Sequence, residues 1–384
     1  MIFNSLVCVA FFLASLQGFY FFNYGIAPFA ILGGCLFILL SWVSFLKNHH
    51  SININQFTAS YVYILVLILS IFSIFYYQDV YDLKRLIGFC FSILICFSVA
   101  TVVDERNIKN ILEILLIVHT SYFFTQFFSY YLFGIDVDLI KVITGVSQKG
   151  WGGSFSLDSL GDLRRFGGLY NEPGTYATFI SPVLAMYITY FLQSKKCKII
   201  TYLTLLSLIL TFSTFAFIFS TLIAITMVII YKQKALFVAT TYVLGFVTVI
   251  PYFLYRFFER SSYGVDTGTE FRFEFLDITY QYIFSGVAEF FLGTGQLITD
   301  FSGKAQLPAA LNDSSLFLSL VFTNGPIFAI LISLYLFFRS YKVSVFSFLA
   351  IFIIMISKTS LFWVFTPVVL SSIFLISRTE HESE

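Results

Sequence analysis

The sequence predicts an all-helical protein that crosses a membrane about twelve times. Of its 384 residues, 58% are hydrophobic and only 11% are charged, and the mean hydropathy is +0.88. A soluble chain of this length would have too little charge to cover its surface. The net charge of +1 gives no concentrated basic face, so nucleic acid is excluded as an expected partner and the lipid bilayer is the expected surrounding.

Apolar runs of nearly bilayer length define the predicted helices. A helix that rises 1.5 Å per residue needs about 20 residues to cross a hydrocarbon core of ~30 Å. The run from Lys198 to Tyr231 is too long for one crossing and is predicted to turn near Thr211-Phe212-Ser213, so the range is eleven to thirteen spans. The predicted spans are 3–22, 27–46, 59–77, 86–103, 111–133, 174–193, 198–212, 214–231, 235–254, 314–338, 342–357 and 359–377.

The distribution of basic residues predicts the orientation. With the N-terminus in the cytoplasm, the short inner loops hold eleven Lys and Arg residues and the short outer loops hold three, which satisfies the positive-inside rule. Both termini are therefore predicted to be cytoplasmic. The inner residues are Lys47, Arg106, Lys109, Lys195, Lys196, Lys198, Lys232, Lys234, Arg339, Lys342 and Arg378, and the outer ones are Lys84, Arg85 and Lys358.

Two long loops interrupt the single predicted membrane domain, 1–384, and both are predicted on the outer face. They run from 134 to 173 and from 255 to 313, and together they contain about half of the Lys, Arg, Asp and Glu residues. Long loops in a compact protein are usually functional. Any chemistry is therefore expected outside the cytoplasm.

The second loop is predicted to contain an amphipathic helix near 272–289, because apolar residues recur there at intervals of three and four. The helix is expected either to lie at the bilayer surface or to cover the bundle, and a third possibility is that Arg272 projects into a substrate cavity. Gly293-Thr294-Gly295 predicts a turn rather than a phosphate loop, since no Lys-Ser/Thr pair follows. The apolar residues are Phe273, Leu276, Tyr280, Ile283, Phe284 and Val287.

Each long loop ends with an acidic residue at the start of an inward-running helix. Glu172 and Asp313 hold these positions, where a carboxylate can simply cap the helix. The functional alternative is that this end of the helix faces a phosphate-bearing ligand. Arg164, Arg165 and Arg272 could then hold diphosphate oxygens through their planar guanidinium groups, and a neighbouring carboxylate could accept a proton.

Further residues are candidates for contact with the substrate or for the core. Asn171 and Arg260 are candidate substrate contacts in the outer loops, and Trp151, Tyr170 and Tyr263 are candidates for stacking on sugar rings. His119, inside the fifth span, is interpreted as a hydrogen-bonded core residue rather than a proton relay. No Cys/His cluster has zinc-ligand spacing, so no metal or other cofactor is expected.

These motifs resemble those of the bacterial O-antigen polymerases of the Wzy type, within the O-antigen polymerase and ligase superfamily. The resemblance in span number and loop placement extends over nearly the whole chain, and the motifs lie in 165–215 and 270–326. They are Arg165-Phe-Gly-Gly-Leu-Tyr-Asn-Glu-Pro-Gly174, Leu208-Ile-Leu-Thr-Phe-Ser213, Leu292-Gly-Thr-Gly295, Leu311-Asn-Asp-Ser314 and Asn324-Gly325-Pro326.

The resemblance implies a GT-C-like glycosyltransferase of the inner (plasma) membrane that works on the periplasmic face during lipopolysaccharide biosynthesis. It would transfer a growing glycan from undecaprenyl diphosphate to the sugar of another lipid-linked repeat unit, with a chain-length regulator as a further partner. Arg165 and Arg272 would neutralise the leaving diphosphate, with Arg164 as the substitute for Arg165. Glu172 would act as the base, with Asp313 in reserve.

Two alternatives stay open at this point. An O-antigen ligase is disfavoured because such ligases carry an outer-loop histidine, and none of His49, His50, His119 and His381 lies in an outer loop. A flippase for lipid-linked oligosaccharide, or another transporter, would keep charged residues within the bundle. Here the charges gather at one face instead.

Overall fold

The structure of the protein is a computed structural model that describes residues 2–21, 26–47, 54–148, 156–157, 161–162, 164–192, 199–231, 267–299 and 314–375. Within these residues the chain is helical apart from turns, isolated bridges and one hairpin of two-residue strands, Ser156–Leu157 and Gly161–Asp162. The helices are α1 Ile2–Ser15, α2 Pro28–Lys47, α3 Thr58–Tyr77, α4 Leu83–Val102, α5 Glu105–Phe133, α6 Leu139–Thr144, α7 Pro173–Leu192, α8 Ile199–Leu210, α9 Thr214–Tyr231, α10 Thr267–Ile283, α11 Val287–Leu292, α12 Leu316–Asn324, α13 Pro326–Tyr341, α14 Val345–Ile356 and α15 Phe365–Leu375, with short 3₁₀ turns at Leu16–Gly18 and Ile54–Phe57.

Several of these helices have the length and composition of membrane spans. Among the described residues, four segments are long and apolar enough to cross a bilayer, and six shorter apolar helices accompany them. The chain is therefore a helical membrane protein. The four segments are Pro28–Leu46, Thr58–Tyr77, Leu83–Val102 and Asn107–Phe133.

The contacts between helices divide the chain into two compact units. The first comprises Met1–Gly33 and Asp104–Phe258, and the second comprises Gly34–Val103 and Glu259–Glu384. In the first unit α7 packs against α5, α8 and α9, and every residue from 176 to 190 is buried. In the second unit α15 packs against α3 and α4, and all its residues are buried. Each unit is thus built around one helix that is buried on all sides.

The predicted turn near 211–213 is confirmed, because α8 ends at Leu210 and α9 begins at Thr214. Two helices begin a few residues before the membrane spans that the sequence predicts for them. Helix α4 begins at Leu83, because the Asp82 side chain caps it by accepting a hydrogen bond from the Lys84 amide. Helix α5 begins at Glu105 rather than near 111. Charged residues placed in loops by their polarity therefore form first helical turns instead.

The prediction of one span over 314–338 was wrong, because this segment forms two helices that are separated at Gly325. Gly325 has a φ of +77°, which ends α12, and Pro326 opens α13. The amphipathic helix predicted near 272–289 is likewise divided into α10 and α11. The predicted span 235–254 lies outside the described residues.

Candidate functional site

The residues between Arg164 and Pro173 form a buried turn at the entrance to α7. Phe166 to Tyr170 are all buried, and the Tyr170 amide donates a hydrogen bond to the Gly167 carbonyl at 3.0 Å. A β-carbon on Gly167 would lie 2.9 Å from the carbonyl carbon of Glu172. The turn therefore folds back on itself, with Arg165 on its incoming arm and Glu172 on its outgoing arm.

Arg164 anchors the incoming arm to the end of α5. Its guanidinium group forms an ion pair with Asp136 at 2.7 Å and lies 5.5 Å from the centre of the Tyr130 ring. The Tyr131 hydroxyl donates to the Arg164 carbonyl and accepts from the Arg164 amide. The charge of Arg164 is thus matched within the protein, and its side chain ties the incoming arm to the end of α5.

Tyr170 has a different place from the one expected for a sugar-stacking residue. It is 0% exposed and stacks with His119 at 5.3 Å and with Phe179 at 5.1 Å between ring centres. Burial raises the pKa of the Tyr170 phenol well above its usual range, so the group stays neutral. The prediction that Tyr170 contacts substrate was wrong, because its ring packs between His119 and Phe179 and has no exposed face for a ligand.

His119 is the hydrogen-bonded core residue that the sequence predicts. Its Nε2 atom lies 2.9 Å from the Ser15 hydroxyl, and that hydroxyl donates to the Phe12 carbonyl at 2.7 Å. Since a hydroxyl has only one proton, Ser15 must accept from His119. These two contacts therefore place a proton on Nε2 of His119.

The backbone carbonyls of the buried turn are satisfied by Gln148. Its Nε2 atom donates to the carbonyls of Gly168 at 2.5 Å and Tyr170 at 2.9 Å. Gln148 is held in turn by Gln126, whose amide donates to its Oε1 atom at 3.2 Å, and by Asp138, which accepts from its backbone amide at 2.8 Å. Irregular backbone among membrane helices requires such partners, because lipid supplies none.

Arg165, Asn171 and Glu172 remain half-buried at the mouth of this turn. The Glu172 carbonyl accepts a hydrogen bond from the Tyr176 amide at 3.0 Å, which starts the hydrogen bonding of α7. The turn between α8 and α9 lies next to it, since a β-carbon on Gly174 would be 3.8 Å from the Ser213 hydroxyl. The segment that carries Arg165, Asn171 and Glu172 therefore lies next to the turn between α8 and α9 at one end of the first unit.

The residues predicted from the second loop belong to the second unit. Arg272 lies on α10, but its side chain is outside the part that the structure describes, and so are Arg260 and Asp313. The helix that follows Asp313 is capped by Ser315, whose side chain accepts from the Leu318 amide. Within the described residues, the site candidates that lie together in the first unit are Arg164, Arg165, Tyr170, Asn171 and Glu172.

Gly293-Thr294-Gly295 forms a turn, as predicted. The amides of Thr294 and Gly295 donate to the carbonyls of Phe322 at 2.9 Å and Thr323 at 2.6 Å. These donors are therefore used by the backbone and do not form a phosphate loop. The residues after the turn are held by Arg85, whose guanidinium donates to the Ile298 carbonyl at 3.2 Å.

The amphipathic stripe predicted around α10 packs within the second unit only in part, since Ile283 is 6% exposed. Phe275 and Tyr282 are buried against Phe322, whereas Tyr280 and Phe284 are more than 60% exposed. The expectation of a bilayer-surface helix fits the exposed stripe.

Sequence reasoning missed the supports of the turn, Gln126, Asp138 and Gln148. Only Asp138 had a signal, since it is an N-cap residue of α6 and Gly145 ends that helix. Among the described residues, no group of His, Cys, Asp and Glu is placed to hold a metal ion. Comparisons of the chain with models of protein families, with curated proteins and with solved structures find no match.

Proposed function

We propose that this protein is a polysaccharide polymerase of the O-antigen type, a glycosyltransferase that acts on undecaprenyl-diphosphate-linked repeat units. The observation that carries the proposal is the buried turn that places Arg165 and Glu172 on its two arms at the entrance to α7. A turn fixed by buried hydrogen bonds gives these two side chains a preorganised position, which catalysis by charge stabilisation requires.

The roles of the two residues follow from their chemistry. A hydroxyl of the acceptor sugar attacks the anomeric carbon of the donor glycan, and the bond from that carbon to the diphosphate oxygen breaks. Glu172 accepts the hydroxyl proton, and Arg165 stabilises the charge that develops on the leaving diphosphate. Asn171 is proposed to orient the acceptor, while Arg260, Arg272 and Asp313 keep the roles predicted from the sequence.

The proposal includes about twelve crossings, a GT-C-like arrangement, the bacterial inner membrane, cytoplasmic termini and a periplasmic site. Contacts within the units support this alternation, because they join segments predicted on the same face. Asn4 donates to Asn107 at 3.2 Å, and both are predicted inside. Asp82 donates through its amide to Leu297 at 2.7 Å, and both are predicted outside.

Complementation of a strain that lacks the gene tests the proposal. Arg165→Ala and Glu172→Gln are expected to lower the rate of polymerisation by roughly 10²–10³-fold, so the long surface glycans should be replaced by single repeats. Lys141→Ala removes an exposed charge from the same outer loop and should leave the ladder intact. Wild-type ladders from both site variants at normal expression would reject the assignment.

The deletion strain itself separates a polymerase from a flippase. Loss of a polymerase leaves one repeat unit attached to the surface lipid, since translocation and ligation continue. Loss of a flippase removes even the single repeat. A deletion that abolishes all surface glycan would therefore favour the transporter alternative.

A further inference from the structure

We infer that Gln148 is the positioning residue of this site, because its side-chain amide fixes the turn that separates Arg165 from Glu172. Its Nε2 atom donates to two carbonyls of that turn, those of Gly168 and Tyr170. The effect on glycan synthesis rests on the proposed function. The effect on the turn itself does not.

A primary amide meets a specific requirement at this position. The two carbonyls belong to buried residues, and a buried carbonyl without a donor is costly. One nitrogen with two hydrogens serves both, while the Oε1 atom accepts from Gln126. A carboxylate in the same place would have the same shape, but it would present oxygen to both carbonyls.

Gln148 is itself held from two directions. Gln126 is 0% exposed and also donates to the Val137 carbonyl at 2.8 Å, which ties α5 to the start of the outer loop. Asp138 accepts from the amides of Gln148 and Lys141, which ties α6 to Gln148. The turn therefore takes its position from α5 and α6 through one side chain.

The isosteric change Gln148→Glu is expected to have a pH-dependent effect on the turn, which a simple loss of packing would not produce. Burial beside two carbonyls and the Asp138 carboxylate would raise the pKa of the new carboxyl group. Among the other charged residues of the same segments, Lys141, Arg164 and Arg165 oppose the rise and Glu172 adds to it. Once protonated, the carboxyl donates one of the two lost hydrogen bonds. The turn should therefore be loose at high pH and tighten as the pH falls.

Hydrogen exchange of the purified full-length protein tests this inference. In Gln148→Glu, amides of residues 164–172 are expected to exchange at least about tenfold faster than in the wild type at pH 8, and the ratio should shrink at pH 5. Helices α3 and α4 should exchange as in the wild type. Gln78→Glu makes the same change at an exposed position and should leave exchange in 164–172 unchanged.

Asp138→Asn is a milder second variant, because the new side chain keeps one acceptor oxygen. The hydrogen bonds of Asp138 reach the amides of Lys141 and Gln148, so its effect on the turn is indirect. It is expected to accelerate exchange in 164–172 by a smaller factor. Wild-type protection of this segment in either variant would overturn the inference. So would an equal acceleration in every helix, or a ratio that is independent of pH in Gln148→Glu.

The surface glycan ladder separates the two proposals. Gln148→Glu is expected to lose long chains at normal expression. If wild-type protein fails to restore the ladder, the proposed function fails while hydrogen exchange still decides the role of Gln148. If the wild type restores the ladder and Gln148→Glu does so equally, the positioning role fails and the proposed function stands.

Discussion

Tyr170 illustrates how one residue within a functional motif can serve the core. Its hydroxyl is buried and has no hydrogen-bond partner among the described residues. Removing a buried hydroxyl without a partner costs little, because its desolvation penalty disappears with it. Tyr170→Phe is therefore expected to leave the midpoint of thermal unfolding in detergent unchanged or slightly raised, and to leave the glycan ladder intact.

Tyr176→Phe is the matched control for this prediction. The Tyr176 hydroxyl pairs with the Ser207 hydroxyl at 2.8 Å in the buried interior, so its loss should cost about 1 kcal/mol and lower the midpoint. A ladder shortened by Tyr170→Phe at an unchanged midpoint would show that the hydroxyl touches substrate. That result would restore the role predicted from the sequence.

Gly168 is a second residue whose identity is fixed by the turn. It has a φ of +60°, and a β-carbon would lie 3.1 Å from the Tyr176 ring. Gly168→Ala is expected to cost about 1–2 kcal/mol for the backbone alone, with a further cost for the contact with the ring. Thermal unfolding in detergent measures the sum.

Gly134→Ala separates the two contributions to the cost at Gly168. Gly134 has a φ of +68° and nothing within 4 Å of its would-be β-carbon, so only the backbone cost applies. The midpoint should fall further for Gly168→Ala than for Gly134→Ala. Equal shifts would mean that the turn does not press against Tyr176.

At the scale of elements, the break between α12 and α13 predicts that Gly325→Ala lowers the stability of the protein. A continuous helix would predict a gain in stability. A β-carbon on Gly325 would lie 2.6 Å from the Phe291 carbonyl oxygen, at a φ of +77°. Gly325→Ala is expected to destabilise the protein by about 2–5 kcal/mol through strain and overpacking. In a continuous helix the same change would stabilise by about 1 kcal/mol.

The control for Gly325→Ala is Gly145→Ala, which has a φ of +75° and open space around the β-carbon. It should cost only about 1 kcal/mol. Gly293→Ala should behave like Gly325→Ala, because its β-carbon would lie 2.5 Å from the Gly325 amide. A raised unfolding midpoint for Gly325→Ala would restore the single span predicted from the sequence.

The helices themselves were largely predictable, because long apolar runs have few alternatives in a bilayer. The turn at 211–213 was predictable from length alone. The Gly325-Pro326 pair is a local signal for the break at Gly325. The long apolar run around that pair nevertheless favoured a single span in the prediction. The early start of α5 had a signal too, since Asp104 stands at an N-cap position.

The candidate site was predictable in its residues but not in its supports. Arg165 and Glu172 stand out because charge and glycine are concentrated around them. The anchoring of Arg164 could not be predicted, because its partner Asp136 lies 28 residues before it. Gln148 gives no local signal, because its partners lie 20 and 22 residues further along the chain. Contacts of this kind arise only from tertiary folding.

At the scale of the whole molecule, the exposed surface requires a bilayer. Large apolar side chains such as Trp42, Phe45 and Phe75 are more than 70% exposed on helices of bilayer length. In water such a surface would associate or aggregate. The apolar surface is instead the face that lipid covers.

Labelling with a membrane-impermeant thiol reagent tests the proposed orientation of the whole chain. In a variant without the five native cysteines, single cysteines at Val80 and Val142, which are 68% and 81% exposed, should react in cells with a permeabilised outer membrane. A cysteine at the exposed Lys342 should react only after the inner membrane is opened. Because Val80 belongs to the second unit and Val142 to the first, the pair tests both units in one experiment. Val80 reports on the second long loop, because its carbonyl accepts a hydrogen bond from the Thr299 amide at 3.1 Å. Labelling of the two positions from opposite sides would therefore separate the two long loops and remove the shared periplasmic face on which the proposed polymerisation depends.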